Sequence, residues 1–101
     1  MNQMQQMLMQ AQKMQRDMRK AHEELNAKEF KVSKGGLVEI VVMGDKSIKE
    51  VKIEKDALGP ENGEMIEEAL KMAFQEVFAT IDAANEQIEE KITGQKGGLG
   101  F

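Results

Sequence analysis

Met4, Met7, Ala11, Met14, Met18, Ala21 and Leu25 recur at spacings of 3, 4, 3, 4, 3 and 4. Apolar residues at this interval line one side of an α-helix and carry the heptad signature of helix pairing. The residues between them are mostly Gln, Lys, Arg, Glu and Ala, all tolerant of helix, so the spacing predicts a helix over residues 2–27. At 1.5 Å per residue it would be about 39 Å long, more than so short a chain covers with its own core. Part of the seam, Met7 and Met14 included, is therefore expected to meet a partner helix. Leu8 and Met9 add apolar surface off the seam.

From Lys28 the period changes to two. Phe30 and Val32 alternate with Lys31 and Ser33, and Lys34-Gly35-Gly36 supplies a hairpin turn. Leu37 to Met43 reads as a strand with Val38, Ile40 and Val42 on one face. Its other face, Leu37, Glu39, Val41 and Met43, is also mostly apolar, which predicts a central strand covered on both sides. Gly44-Asp45-Lys46-Ser47 is the next turn. Val51 and Ile53 then mark a third strand, with Ile48 out of phase, the sign of a bulge or a late start. Connections this short make an antiparallel meander.

Gly59-Pro60 and Asn62-Gly63 mark a loop, with Asn62 as a candidate N-cap. A second helix is expected from about Asn62 to Ile92 along the seam Ile66, Leu70, Ala73, Val77, Ile81, Ala84 and Ile88. Met65, Ala69, Phe74 and Phe78 widen that stripe in its first half only. The first half should therefore pack on the sheet, and the second should project or pair. Together these elements predict an α+β fold, helix–three-stranded antiparallel meander–helix, in one domain over residues 1–93. A flexible Gly-rich tail is expected over 94–101. The long seam and the doubly apolar strand exceed what one protomer can cover. A homodimer is expected, with Met7, Met14, Val38, Ile40 and Val42 in its interface.

Composition excludes several classes of function. The chain has no Cys, so thiol chemistry and thiolate zinc sites are out, and a cytoplasmic location is expected. No run approaches the roughly 20 apolar residues of a membrane span. The first fifteen residues do not read as a signal peptide. His22 stands alone on its helix, without the second His of a helical zinc site. Glu64/Glu68, Asp82/Glu86 and Glu86/Glu90 read as solvated acidic faces rather than a cation site. Lys34-Gly35-Gly36 joins two strands, and Lys96-Gly97-Gly98-Leu99-Gly100 follows a helix, so neither is a phosphate loop. No cofactor, metal or small-molecule substrate is indicated, and an enzyme is not expected.

The net charge of −4 is unevenly spread: residues 1–55 hold eleven Lys/Arg against eight Asp/Glu, and residues 56–101 hold three against ten. On the heptad, Lys13, Arg16, Arg19 and Lys20 share the face opposite the seam, while Asp17 and Glu24 fall beside the seam. Such a face, with six Gln on the same helix, suits phosphate contact. Glu23 interrupts it, and the plainer reading is an ordinary polar exterior. The methionines offer a competing reading, an adaptable groove for apolar peptides.

In order along the chain, the segments Met9-Gln10-Ala11-Gln12-Lys13-Met14-Gln15, Gly36-Leu37-Val38-Glu39-Ile40 with Gly44, Val51-Lys52-Ile53, Glu64-Met65-Ile66-Glu67-Glu68, Ala73-Phe74 and Ile81-Asp82 together resemble the YbaB/EbfC family of bacterial nucleoid-associated proteins. The resemblance implies a homodimer with helices projecting like tweezer arms, binding to double-stranded DNA, and roles in nucleoid organisation and gene regulation. It carries Lys13, Arg16, Arg19 and Lys20 over as helix-borne DNA contacts, with Lys28, Lys31 and Lys34 extending the path to the hairpin. Two departures touch loop geometry: Glu54-Lys55-Asp56 after the third strand and the tail from Gly97 both lack the Pro usual there.

Overall fold

A computed structural model describes residues 2–94 of the chain. The elements run α1 (Gln3–Asn26), β1 (Glu29–Lys34), β2 (Val38–Met43), β3 (Ile48–Ile53), two 3-10 turns (Lys55–Ala57 and Pro60–Asn62) and α2 (Gly63–Thr93). The sheet is antiparallel in the order β1-β2-β3, the expected meander. The chain divides into two compact units, the described parts of 1–25 with 83–101, and Asn26–Asp82.

In the second unit, local chemistry sets each connection. Gly35 and Gly36 both take positive φ, 59° and 66°, and Leu37 N–H closes the turn on Lys34 O at 3.0 Å. Two successive positive φ values give a hairpin turn whose twist matches its strands, and glycine adopts them without steric cost. In the second turn, Asp45 Oδ1 accepts from Ser47 N–H at 2.8 Å and from the Ser47 hydroxyl at 2.5 Å. These bonds hold the Asp45 carboxyl below its ordinary range. Val42 pairs with Ile48 but Val41 pairs with Glu50, so Lys49 is the extra residue of a bulge. That bulge is what puts Ile48 out of phase with Val51. The Asn62 side chain donates to Ala57 O at 2.8 Å and ties the two 3-10 turns together.

The core is one face of the sheet against the first two-thirds of α2. Val38, Ile40 and Val42 meet Ala69, Ala73, Val77 and Ile81, with Phe30, Val32, Leu37, Ile53, Ile66, Leu70, Phe74 and Phe78 at its margin. Alanines on the helix let it sit close to the β-branched strand residues, and Ile40, Val42, Val77 and Ile81 are fully enclosed. Met65, expected to widen the stripe, is instead exposed. Val38, Ile40 and Val42, expected at a dimer interface, are 3%, 0% and 0% exposed within one chain, because its own α2 covers them.

On the opposite face the central strand is covered as well, but by charged side chains rather than by a second apolar layer. Val41 lies between Lys31 and Glu50 in register. Ion pairs Lys31–Glu39 at 3.4 Å and Lys52–Glu50 at 2.9 Å flank it, and Lys49 pairs with Glu29. Val41 is only 8% exposed, yet its neighbours across the strands are long charged side chains. Their aliphatic stems shield it while their heads stay in water.

The first unit contains α1 and the end of α2. Asn2 Oδ1 accepts from Gln5 N–H at 2.8 Å, and Gln5 Oε1 accepts from Asn2 N–H at 3.4 Å. This reciprocal pair is a capping box that satisfies donors left open at a helix start. At the other end Gly94, with φ 75°, donates to Glu90 O at 2.8 Å and stops α2 in a left-handed cap. The tail expected to be flexible lies, beyond Gly94, outside the described residues.

Candidate nucleic-acid interface

Helical geometry turns Arg16, Arg19 and Lys20 to one side of α1. At 3.6 residues per turn, Met7 and Met14 lie roughly opposite Arg16. All of residues 2–17 are exposed, so both sides of this stretch face outward; burial begins at Met18, Ala21 and His22 and is complete only at Leu25. Among the described residues Met7 and Met14 keep 63% and 41% of their surface exposed, so the expected cover is at most partial there.

The seven cations singled out from sequence are not equivalent. Lys13 Nζ sits 3.1 Å from Asp17 Oδ2, one turn on. Lys31 pairs with Glu39, and Lys34 pairs with Glu76 at 2.6 Å. Lys28 lies 5.4 Å from the centroid of the Phe30 ring and is exposed. Arg16, Arg19 and Lys20 have no carboxylate within ion-pair distance among the described residues. The structure thus brings together one group of uncompensated cations on α1 and leaves Lys31 and Lys34 neutralised on the sheet.

Three further sheet and turn lysines, Lys46, Lys49 and Lys52, are engaged in the same way. Lys46 meets Asp82 at 2.7 Å and lies 5.9 Å from the Phe78 ring centroid. Hydrogen bonding to Glu29 holds Lys49 above its ordinary range, and hydrogen bonding to Glu50 does the same for Lys52. A cation with its counter-charge in place has little left to offer a phosphate.

Two features escaped the sequence reading. Lys91, in the last turn of α2, lines one shallow cleft with Lys13 and Lys20, together with Asp17 and Glu24. Acidic neighbours Glu86, Glu89 and Glu90 mask it in the sequence. Ile48 and Val51 lie on the core side of the sheet by register, yet are 55% and 47% exposed. The alternation of Val51 with Ile53 and the phase slip at Ile48 were legible; that Ile53 packs on the core while Ile48 and Val51 stay uncovered was not. His22 is half-buried, in a groove with Met18 and Thr93. Among the described residues no His, Cys, Asp or Glu cluster could hold a metal ion, and no helix is long and apolar enough to cross a membrane.

The chain is similar throughout its length to proteins of one kind. A nucleoid-associated protein of Ruminiclostridium cellulolyticum is 39% identical over 94 residues, covering 92% of this chain and 82% of that one. One from Enterococcus faecalis is 37% identical, covering 100% of this chain and 96% of the relative. One from Mycoplasmopsis pulmonis is 36% identical over 89% of each. The model of the YbaB/EbfC DNA-binding family matches residues 1–96. The ordered motifs, the helix–meander–helix order and these matches agree: the chain belongs to the YbaB/EbfC DNA-binding family.

Proposed function

We propose that this protein binds double-stranded DNA as a homodimer through the outer face of α1, with weak sequence preference, and so contributes to nucleoid organisation and gene regulation in the cytoplasm. The observation that carries this reading is the group Arg16, Arg19 and Lys20, exposed on one helix face and with no carboxylate within ion-pair distance among the described residues. Lys13 joins the group when its bond to Asp17 opens, and Lys28 lies just past the end of α1. Lys31 and Lys34 become secondary, because each must first leave a carboxylate. Contacts of this kind reach phosphates and carry no base code. The net charge of −4 per chain keeps the affinity modest.

Dimerisation in this reading uses β3 rather than β2. Ile48 and Val51 extend the core face beyond α2 at an edge strand, and Phe74 and Phe78, 5.9 Å apart at their centroids, are only partly buried. A second copy would finish covering that surface.

The test is duplex affinity measured against salt for the wild type and for the Arg16→Ala/Arg19→Ala/Lys20→Ala variant. Six phosphate contacts per dimer give a log–log slope of about −5, and the triple variant should lose most of it. Equal affinity for the two proteins would remove this site. Salt-insensitive capture of apolar peptides that depends on Met7 or Met14 would instead favour the peptide-clamp reading, which the exposure of those side chains keeps in play.

A further inference from the structure

Residues 2–12, Asn-Gln-Met-Gln-Gln-Met-Leu-Met-Gln-Ala-Gln, contain no charged side chain, although charged residues make up 32% of the chain. On this stretch Met4, Met7 and Leu8 are 78%, 63% and 59% exposed, and with Ala11 and Met14 they form one apolar stripe. The stripe lies opposite Arg16, so a duplex on the cationic side leaves it open. We propose that this uncharged tip of α1 pairs with the same tip of a neighbouring copy when both are bound along one duplex, so that DNA binding is cooperative. The proposal rests on the DNA-binding reading above.

Three observations favour a second copy as the occupant. The stripe keeps the heptad spacing 4, 7, 11, 14, which is complementary to itself about a two-fold axis. Residues 2–12 bring no charged side chain to the contact, so two copies of an acidic protein meet there without like-charge side chains, and glutamines beside the stripe can hydrogen-bond across it. The size of the stripe sets the conditions. It spans about 15 Å of helix, short of the three to four heptads a stable coiled coil needs. Two free tips would therefore stay apart at low concentration. Holding them on one duplex raises their effective concentration and makes the weak contact count. With two tips per dimer the contact is open-ended and can propagate along DNA.

The absence of native Cys allows a direct test. Ala11→Cys places a lone thiol in the stripe, and disulfide capture between copies is followed without DNA, on a short duplex seating one dimer, and on a long duplex. The same capture is repeated with Met4→Gln/Met7→Gln/Leu8→Gln added, a change that leaves the charge untouched. Capture should rise about tenfold on the long duplex relative to the short one, in line with the gain in effective concentration. The triple Gln change should abolish that rise while leaving short-duplex affinity and solution mass as they were. Equal capture on both duplexes would overturn the proposal. Full capture without DNA, with monomers from the triple Gln protein, would also overturn it and make the tip the primary dimer seam. Failure of the wild type to bind either duplex would overturn the DNA-binding reading, and this proposal with it.

Discussion

Lys13 Nζ and Asp17 Oδ2 stand 3.1 Å apart on successive turns of α1, both side chains at least half exposed. An exposed i, i+4 pair of this kind contributes only a few tenths of a kcal/mol to the helix. Its larger effect is to remove one cation from the face that carries Arg16, Arg19 and Lys20. Asp17→Asn should free Lys13 in each protomer and steepen the salt slope of duplex binding by roughly 2, from about −5 to about −7. Binding isotherms at four or five salt concentrations check this, and an unchanged slope would mean that Lys13 stays clear of the phosphates.

Ile40 and Ile48 share a sheet face but differ in cover, 0% against 55% exposed. Ile40→Ala removes packing from a closed core and should lower stability by about 3 kcal/mol in denaturant unfolding. Ile48→Asp should leave the circular dichroism of the fold intact and convert dimers to monomers in sedimentation. A dimer that survives Ile48→Asp would place the interface elsewhere.

Gly36 and Gly63 both have open space where a Cβ would stand, so backbone conformation alone decides the effect of adding one. Gly36 has φ 66°, and Gly36→Ala should cost about 1 kcal/mol or slightly more. Gly63 has helical dihedrals, φ −54° and ψ −50°, and Gly63→Ala should add about 0.5 kcal/mol by restricting the unfolded chain. Thermal melts should therefore move in opposite directions for the two variants.

Asp45 is held below its ordinary 3.8 first by the Ser47 hydroxyl and then by the Ser47 amide. With a folded-state value below the unfolded one, its support for the β2–β3 turn is complete above pH 3.8 and is lost as pH falls through the folded value. The Ser47 amide proton resonance should titrate with a midpoint below 3.8, and Asp45→Asn should abolish that titration. A midpoint at or above 3.8 would contradict the hydrogen bonds described for this turn.

Most of the fold was legible because it is written in short-range periods. The strand alternation, the glycine pair at 35–36 and the phase slip at Ile48 each specify local geometry without help from distant residues. The capping box is local too, with Asn2 and Gln5 only three residues apart. What resisted reading depends on neighbours across the sheet or far along the chain. Val41 looks like a buried residue of a second core until Lys31 and Glu50 are placed on either side of it. Lys34 looks free until Glu76, 42 residues on, is brought to 2.6 Å. The candidate site was therefore half legible: the α1 cations follow from helical spacing, whereas the silencing of the sheet cations follows only from tertiary structure.

That silencing sets how the protein meets a polyelectrolyte. Lysines 31, 49 and 52 carry their counter-ions as covalent parts of the same sheet, in Glu39, Glu29 and Glu50. A phosphate approaching that plane finds it electroneutral, and displaces no condensed sodium or potassium by binding there. On the proposed reading, the ions liberated at a duplex would thus come from beneath the first helix and Lys28 just past it, and counting them counts those cations.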